Sequence, residues 1–364
     1  MNNSLYVGLM SGTSMDAIDA VLISFEDGLK LLGTCSTTYP SGLRERLSRL
    51  AHNQGTPDDL GQADHLLGEA FASAVKQLLA ETHTDASRVK AIGSHGQTVR
   101  HHSEGDARFS LQLGDPNIIV ERTGITTVAD FRRRDMAAGG EGAPLVPAFH
   151  QAFLASTEED RCIINIGGIA NITWLPRNGQ ALGFDTGPGN ALMDAWCLKH
   201  TGRHFDEDGH WAAEGIVNQP LLSDMLTDAY FRAPAPKSTG KERFNLEWIE
   251  TCLRRHPNVS PTDVQRTLLE LTVLTIMRQL PEPGPARLFI CGGGARNKVL
   301  MQQLARVCEP ATVETTDKIG LDPQWVEAAA FAWLAARTLD HQAGNLPAVT
   351  GAAGPRILGG VYVR

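Results

Sequence analysis

The sequence lacks an excess of cations. It has 33 Lys and Arg against 41 Asp and Glu, a net charge of −8. Sequence-independent nucleic-acid binding needs a cationic surface, so that partner class is excluded. A long hydrophobic run is also missing: the longest, Ala328 to Ala336, is half a membrane span at most, and no membrane association is expected. The six cysteines, Cys35, Cys162, Cys197, Cys252, Cys291 and Cys308, form no C-x-x-C pair. Neither a zinc site nor a disulfide framework follows, and reduced, buried thiols in a cytoplasmic protein are expected. The His-x-x-x-His zinc signature is absent. Met1 to Val7 shows no basic stretch leading into an apolar one, so no secretory signal is expected.

Glycine, by contrast, is abundant, with 36 among 364 residues and no collagen-like period. The length exceeds what a single core usually organises, and two domains are the natural prior. Short apolar segments such as Leu5–Met10, Ala20–Phe25, Val89–Ser94, Ile125–Ala129, Cys162–Ile166, Ile172–Trp174 and Arg287–Cys291 read as strands. They alternate with helical patterns at 64–79, 191–199, 267–279 and 298–307, which makes the class α/β with some antiparallel hairpins. Arg132–Pro147 reads as a long crossing segment, and a domain edge is placed beside it. Asp322 reads as an N-cap, with Pro323 at the first position of a helix running to about Thr338.

Three glycine-rich loops stand out. Gly8-Leu-Met-Ser-Gly-Thr-Ser-Met-Asp-Ala-Ile-Asp19 joins two strands. Its small residues let backbone N–H groups, with the hydroxyls of Thr13 and Ser14, approach an anion. Asp16 and Asp19 sit badly beside phosphate unless a cation intervenes, and Mg²⁺ with retained waters meets that need. The alternative is a hairpin turn decorated with self-bonded polar side chains. The second loop, around Gly167 and Gly168 up to Asn171, is again strand, turn, strand. The third, Gly292-Gly293-Gly294, follows a strand and leads into a helix. Neither G-x-G-x-x-G nor the Walker A pattern is present, and Gly240-Lys241 lacks the first glycine of the latter.

Chemistry-bearing side chains cluster near these loops. Asp185, in Gly183-Phe-Asp-Thr-Gly-Pro-Gly-Asn190, reads as lying at a strand end, either as a turn-forming carboxylate or as a general base. Glu327 is the only charged residue from Trp325 to Ala336. A carboxylate on so apolar a helix needs a salt-bridge partner or a ligand. Gly93-Ser94-His95-Gly96-Gln97-Thr98 groups hydroxyl, imidazole and amide donors suited to a sugar. Arg132, Arg133 and Arg134 offer carboxylate binding or form a solvated face. His101-His102 reads as a solvent turn.

These stretches, together with Ala129 to Asp135 and Phe244 to Leu246, resemble the anhydro-N-acetylmuramic acid kinase family from Gly8 nearly to Gly359. The resemblance implies a two-lobed actin-like (ribonuclease H-like) ATPase fold with an ATP cleft between the lobes. Residues 1–131 would form the N-terminal lobe and 132–364 the C-terminal one, the last helix packing back on the first. It implies that 1,6-anhydro-N-acetylmuramic acid from peptidoglycan recycling is opened by water and phosphorylated at O6. The product would be N-acetylmuramic acid 6-phosphate. It further implies ATP and Mg²⁺, a homodimer, and a cytoplasmic location.

On the same basis Gly12, Thr13, Ser14, Met15, Asp16, Ala17, Ile18 and Asp19 would hold ATP phosphates, Asp16 positioning Mg²⁺ through water. Gly167, Gly168 and Asn171 would form the second phosphate loop, and Gly292, Gly293 and Gly294 would face the adenosine. Asp185 would be the general base. Ser94, His95, Gln97, Arg133, Arg134, Asp185 and Glu327 would bind the sugar. Two other classes compete with this one: an actin-like ATPase that acts on no sugar, and a different hydroxyl-directed kinase or a plain glycosidase.

Overall fold

A computed structural model describes residues 4–12, 15–103, 105–282 and 284–364. Among the described residues twelve strands form two sheets. They are β1 (Leu5–Ser11), β2 (Ile18–Ser24), β3 (Lys30–Thr37), β4 (Val89–His102), β5 (Phe109–Leu113), β6 (Thr127–Ala129), β7 (Arg161–Ile166), β8 (Ile169–Leu175), β9 (Leu182–Pro188), β10 (Arg287–Cys291), β11 (Thr312–Thr315) and β12 (Gly360–Tyr362). The chain divides into two compact units, Met1–Phe153 with Trp325–Arg364, and Leu154–Gln324.

In the first unit β1 lies centrally, antiparallel to β2 and parallel to β4. β3 continues antiparallel beyond β2, β6 parallel beyond β4, and β5 and β12 are additions to β4 and β6. In the second unit β7 is central, antiparallel to β8 and parallel to β10, with β9 and β11 outside them. Each unit thus repeats one plan: a three-strand meander whose first strand borders two parallel strands reached by crossovers. This is the ribonuclease H-like arrangement of the actin-like class, and it bears out the expected fold.

The helix Pro57–Glu81 starts where Thr56 accepts from the Asp59 N–H and Asp59 reaches back to the Thr56 N–H, a capping box with Pro57 at the first position. Its apolar positions Leu67, Phe71, Val75 and Leu78 are buried in the core of the first unit. The helix Val326–Leu339 covers the sheet by crossing β1 and β4. Gly8 and Gly93 are paired across these strands. A Cβ on Gly8 would come within 1.9 Å of the Ala328 carbonyl oxygen, and one on Gly93 within 2.0 Å of that of Phe331. These two glycines let helix and sheet touch backbone to backbone, with an alanine-rich helix face completing the fit.

Several expectations need correction. Arg132–Pro147 is no long crossing loop: Phe131–Ala137 is helical, and a second helix begins at Val146. Buried Asp135 ties this region to the chain's end, accepting from Gly142 N at 2.9 Å, Asn345 Nδ2 at 2.7 Å and Thr350 Oγ1 at 2.7 Å. Residues 132–153 and everything from Trp325 therefore fold with the first unit, and the division falls after Phe153. Asp322 does not cap a helix; its carboxylate accepts from Gln324 N in a local turn, and the helix begins at Val326. His101 and His102 lie in β4 rather than in a turn, with His101 Nδ1 3.0 Å from Ser110 Oγ of β5. Asp185 sits within β9, not at its end.

Candidate active site

In the first unit, the loop after β1 contains a turn closed by Met15 N donating to Gly12 O at 3.0 Å. Thr13 and Ser14 lie outside the described residues. The Met15 and Ile18 side chains are buried in the core, so only their backbone is available to a ligand. Asp16 is exposed and pairs with Arg44 at 3.3 Å. Ala17 separates it from β2, where Asp19 stands opposite Met10 and accepts from Ser36 Oγ at 2.7 Å.

At the far end of β1, Ser11 Oγ and Tyr39 OH both bond Gln97 Oε1, and the Gln97 amide donates to Thr98 O at 3.1 Å. Gln97 is fully buried, and these bonds occupy its side chain inside the protein. Burial pushes the Tyr39 hydroxyl up to about 12. Ser94 Oγ is buried and has no hydrogen-bond partner among the described residues.

His95 packs at a tilt against Phe331, with ring centroids 4.6 Å apart. Its Nε2 accepts from Arg132 Nε at 3.1 Å and Nη2 at 2.9 Å, while Arg132 Nη1 donates to Gly142 O at 2.8 Å. Burial, reinforced by the Arg132 charge, holds His95 well below the usual imidazole range. Glu327, in the first turn of its helix, feels Arg132 and Asp19. Burial pushes its carboxyl up, Arg132 opposes this, and Asp19 adds to it. Arg133 and Arg134 are exposed, and Arg133 is engaged by Asp130 at 2.6 Å.

In the second unit, Gly167 and Gly168 turn between β7 and β8 as the sequence suggests. Their carbonyls accept from the N–H groups of Asn190, at 2.8 Å, and of Gly189 and Ala191. This pins the start of the helix Ala191–Thr201 to the loop. Gly292 has φ of +77°, and a Cβ there would lie 2.3 Å from Asn165 Oδ1 and 2.9 Å from Ile166 O. Gly293 and Gly294 continue as a tight turn beside the end of β7. Asn165 is buried, and its Oδ1 has no partner among the described residues. An orphaned acceptor beside two glycine loops suits a ligand donor such as a ribose hydroxyl.

Asp185 pairs across β8–β9 with Asn171, where the register shifts between Ala170 and Asn171. It is held at three atoms: its N–H donates to Lys237 O at 3.0 Å, its carbonyl accepts from Tyr230 OH at 2.7 Å, and Oδ2 accepts from Thr239 N at 3.0 Å.

The family description "Anhydro-N-acetylmuramic acid kinase" matches residues 4–364. A protein of that name from Saccharophagus degradans is 51% identical over 371 residues, covering all of both chains. The chain belongs to the anhydro-N-acetylmuramic acid kinase family. Its namesake in Coxiella burnetii is 48% identical over 369 residues, spanning 100% of this chain and 98% of that one. Among solved structures, the Acidaminococcus fermentans (R)-2-hydroxyglutaryl-CoA dehydratase component A is 9% identical, with a TM-score of 0.48, covering 90% of this chain and 96% of that one.

For a member of the anhydro-N-acetylmuramic acid kinase family, the first unit brings Arg132 onto His95 through two hydrogen bonds and within electrostatic reach of Glu327, and Ser94 precedes His95 in β4. In the second, the Gly167–Gly168 loop is tied to Gly189, Asn190 and Ala191, Gly292 and Gly294 lie against Asn165 and Ile166, and Asp185 pairs with Asn171. Reading the sequence missed Tyr39, Lys237 and Thr239. Ser11 lay within a quoted loop and could have been found there, whereas Tyr39 stands in a segment with no motif. Among the described residues no group of three metal-ligating side chains gathers, and no helix is long and apolar enough to cross a membrane.

Proposed function

We propose that this protein opens the 1,6-anhydro ring of 1,6-anhydro-N-acetylmuramic acid with water and transfers the ATP γ-phosphoryl group to O6. The products are N-acetylmuramic acid 6-phosphate and ADP, a step in peptidoglycan recycling. The observation that carries this reading is Asp185, fixed through its backbone N–H, its backbone carbonyl and one carboxylate oxygen, and paired with Asn171 of the second glycine loop.

In this reading Asp185 takes a proton from the water that attacks the anomeric carbon. The C1–O6 bond breaks, and O6 captures the phosphoryl group, so the departing oxygen needs no separate general acid. Ser94, His95 and Glu327 hold the sugar, and Arg132 and Gln97 keep that group in place. Gln97 acts from behind, because its side-chain bonds are made to Ser11, Tyr39 and Thr98. Arg133 and Arg134 face solvent and meet the lactyl carboxylate only from that side.

The nucleotide is held by backbone from Gly12 to Asp19, by Gly167, Gly168 and Asn171, and by Gly292 to Gly294 against the orphaned Asn165 oxygen. An exposed carboxylate whose partner is the exposed Arg44 side chain is accessible to a cation that keeps its waters, so Asp16 fits Mg²⁺ in an outer position. Mg²⁺ there would neutralise phosphate charge. The reading also places the protein in the cytoplasm, where ATP is available, as a homodimer whose mass light scattering would measure.

ADP release with and without the anhydro sugar tests the function. Release that depends on the sugar, with label from ¹⁸O-water entering C1 and not the phosphate, is the expected result. Equal ADP release without sugar would favour a plain actin-like ATPase, and ring opening without ATP a glycosidase.

A further inference from the structure

One stretch of the first unit, residues 36–44, touches the loop between β1 and β2 at its start, middle and end. Tyr39 OH meets Ser11 Oγ at the start, Arg44 pairs with Asp16 at 3.3 Å in the middle, and Ser36 Oγ donates to Asp19 at 2.7 Å at the end. The Arg44 and Ser36 contacts are exposed, and exposed pairs contribute little. The Tyr39 contact differs. Ser11 and Gln97 are buried, and the Tyr39 side chain packs against the core of the first unit.

Strand register brings these groups together. Gln97 of β4, Ser11 of β1, Ile18 of β2 and Thr37 of β3 pair in one row across the sheet. The loop leaves the sheet at Ser11 and returns at Ile18. Just beyond Thr37, the Tyr39 hydroxyl reaches back past β2 and donates to Gln97 Oε1 at 3.0 Å. It also meets Ser11 Oγ, which itself donates to Gln97 Oε1. Two hydroxyl protons thus serve three contacts around one amide oxygen, which accepts two bonds at most. Each of the three side chains therefore fixes the other two. With the Tyr39 hydroxyl pushed up to about 12 by burial, it stays a donor at any working pH.

We infer that Tyr39 is a positioning residue for the nucleotide, its hydroxyl clamping Ser11 to Gln97 where the loop departs and so fixing the backbone N–H groups of Gly12 to Asp19. The inference rests on reading that loop as a phosphate loop. A site built from backbone N–H groups binds an anion best when they are held in place before it arrives. Ser11 immediately precedes Gly12, so a Ser11 free to turn passes its motion straight into the loop.

The test is the affinity of a non-hydrolysable ATP analogue, measured by calorimetry and set beside steady-state kinetics. Tyr39→Phe keeps the ring in the core and removes only the hydroxyl. It should weaken the analogue and raise KM for ATP about 3–10-fold, the equivalent of one net hydrogen bond, with kcat retained at saturating ATP and sugar. Because Tyr39 acts through Ser11, adding Tyr39→Phe to Ser11→Ala should weaken the analogue no further. Unchanged affinity, or losses that add in the double variant, would overturn the inference, as would a loss confined to KM for the sugar. Should Tyr39→Phe not fold, Ser11→Ala decides alone: the same selective loss is expected, and retained affinity overturns the inference. Failure of the underlying reading looks different: hydrogen exchange at residues 12–19 of the parent protein would then be the same with and without the analogue.

Discussion

Arg132 donates from two guanidinium nitrogens to the same atom, Nε2 of His95, at 3.1 and 2.9 Å. A guanidinium offers donors only, so that nitrogen is the acceptor and the ring carries its proton on Nδ1. Arg132 thereby sets which edge of the imidazole donates.

Lysine cannot reproduce this fork. Arg132→Lys is expected to lower kcat/KM for the sugar about 10–100-fold, the equivalent of one lost charge-assisted hydrogen bond. Steady-state kinetics with the anhydro sugar checks it. An unchanged value would mean that the ring's orientation is not used.

Acid should destabilise the protein through its buried imidazoles. Burial, then Arg132 and His102, push His101 down to about 4, and burial alone pushes His150 to about 3. The unfolded chain takes up these protons near pH 6.5, the folded one only near those lower values. The unfolded state therefore binds more protons across this window, and stability falls as pH drops from about 6.5 towards 4. The loss is on the order of a few kcal/mol per ring. Melting temperatures at pH 7 and pH 5 read it, and His101→Gln should flatten the dependence.

Asp185→Asn preserves shape and can still accept the Thr239 N–H through its amide oxygen. Sugar-dependent ADP release should fall about 10²–10⁴-fold, with the melting temperature and nucleotide affinity retained. Calorimetry with a non-hydrolysable ATP analogue separates the outcomes: lost affinity in a folded variant would instead assign Asp185 to the metal.

Two glycines of the first unit should respond oppositely to one methyl group. Gly8→Ala drives a Cβ into the Ala328 carbonyl at 1.9 Å and should cost about 1–3 kcal/mol or more. Gly61→Ala, on an exposed helical turn with nothing within 4 Å, should gain about 0.5–1 kcal/mol. Urea denaturation of both variants measures the difference. A neutral Gly8→Ala would mean that the helix over β1 and β4 shifts freely.

Much of the glycine pattern was legible because loops that meet a ligand with backbone need small residues in sequence. The hairpin at Gly167–Gly168 and the turn at Gly292–Gly294 were both read from letters alone. Gly8 and Gly93 were harder: they belong to quoted loops, yet what requires them is a helix more than 230 residues away, and no local pattern shows that contact. Asp135 is similar, since its partners Asn345 and Thr350 lie more than 200 residues on.

By itself the sequence determined the α/β class, two repeated units, the family, and the residues of its local motifs, because spacing and residue type carry those properties along the chain. Only tertiary structure decided which groups meet. It brought Arg132 rather than Arg133 or Arg134 to His95, closed Gln97 behind Ser11 and Tyr39, and wrapped Lys237 and Thr239 around Asp185. Helical phase and strand register settle such choices, and both depend on what packs against the element. Arg132 turns inward because the helix Phe131–Ala137 is anchored by Phe131 and Asp135, which leaves its two neighbours in water.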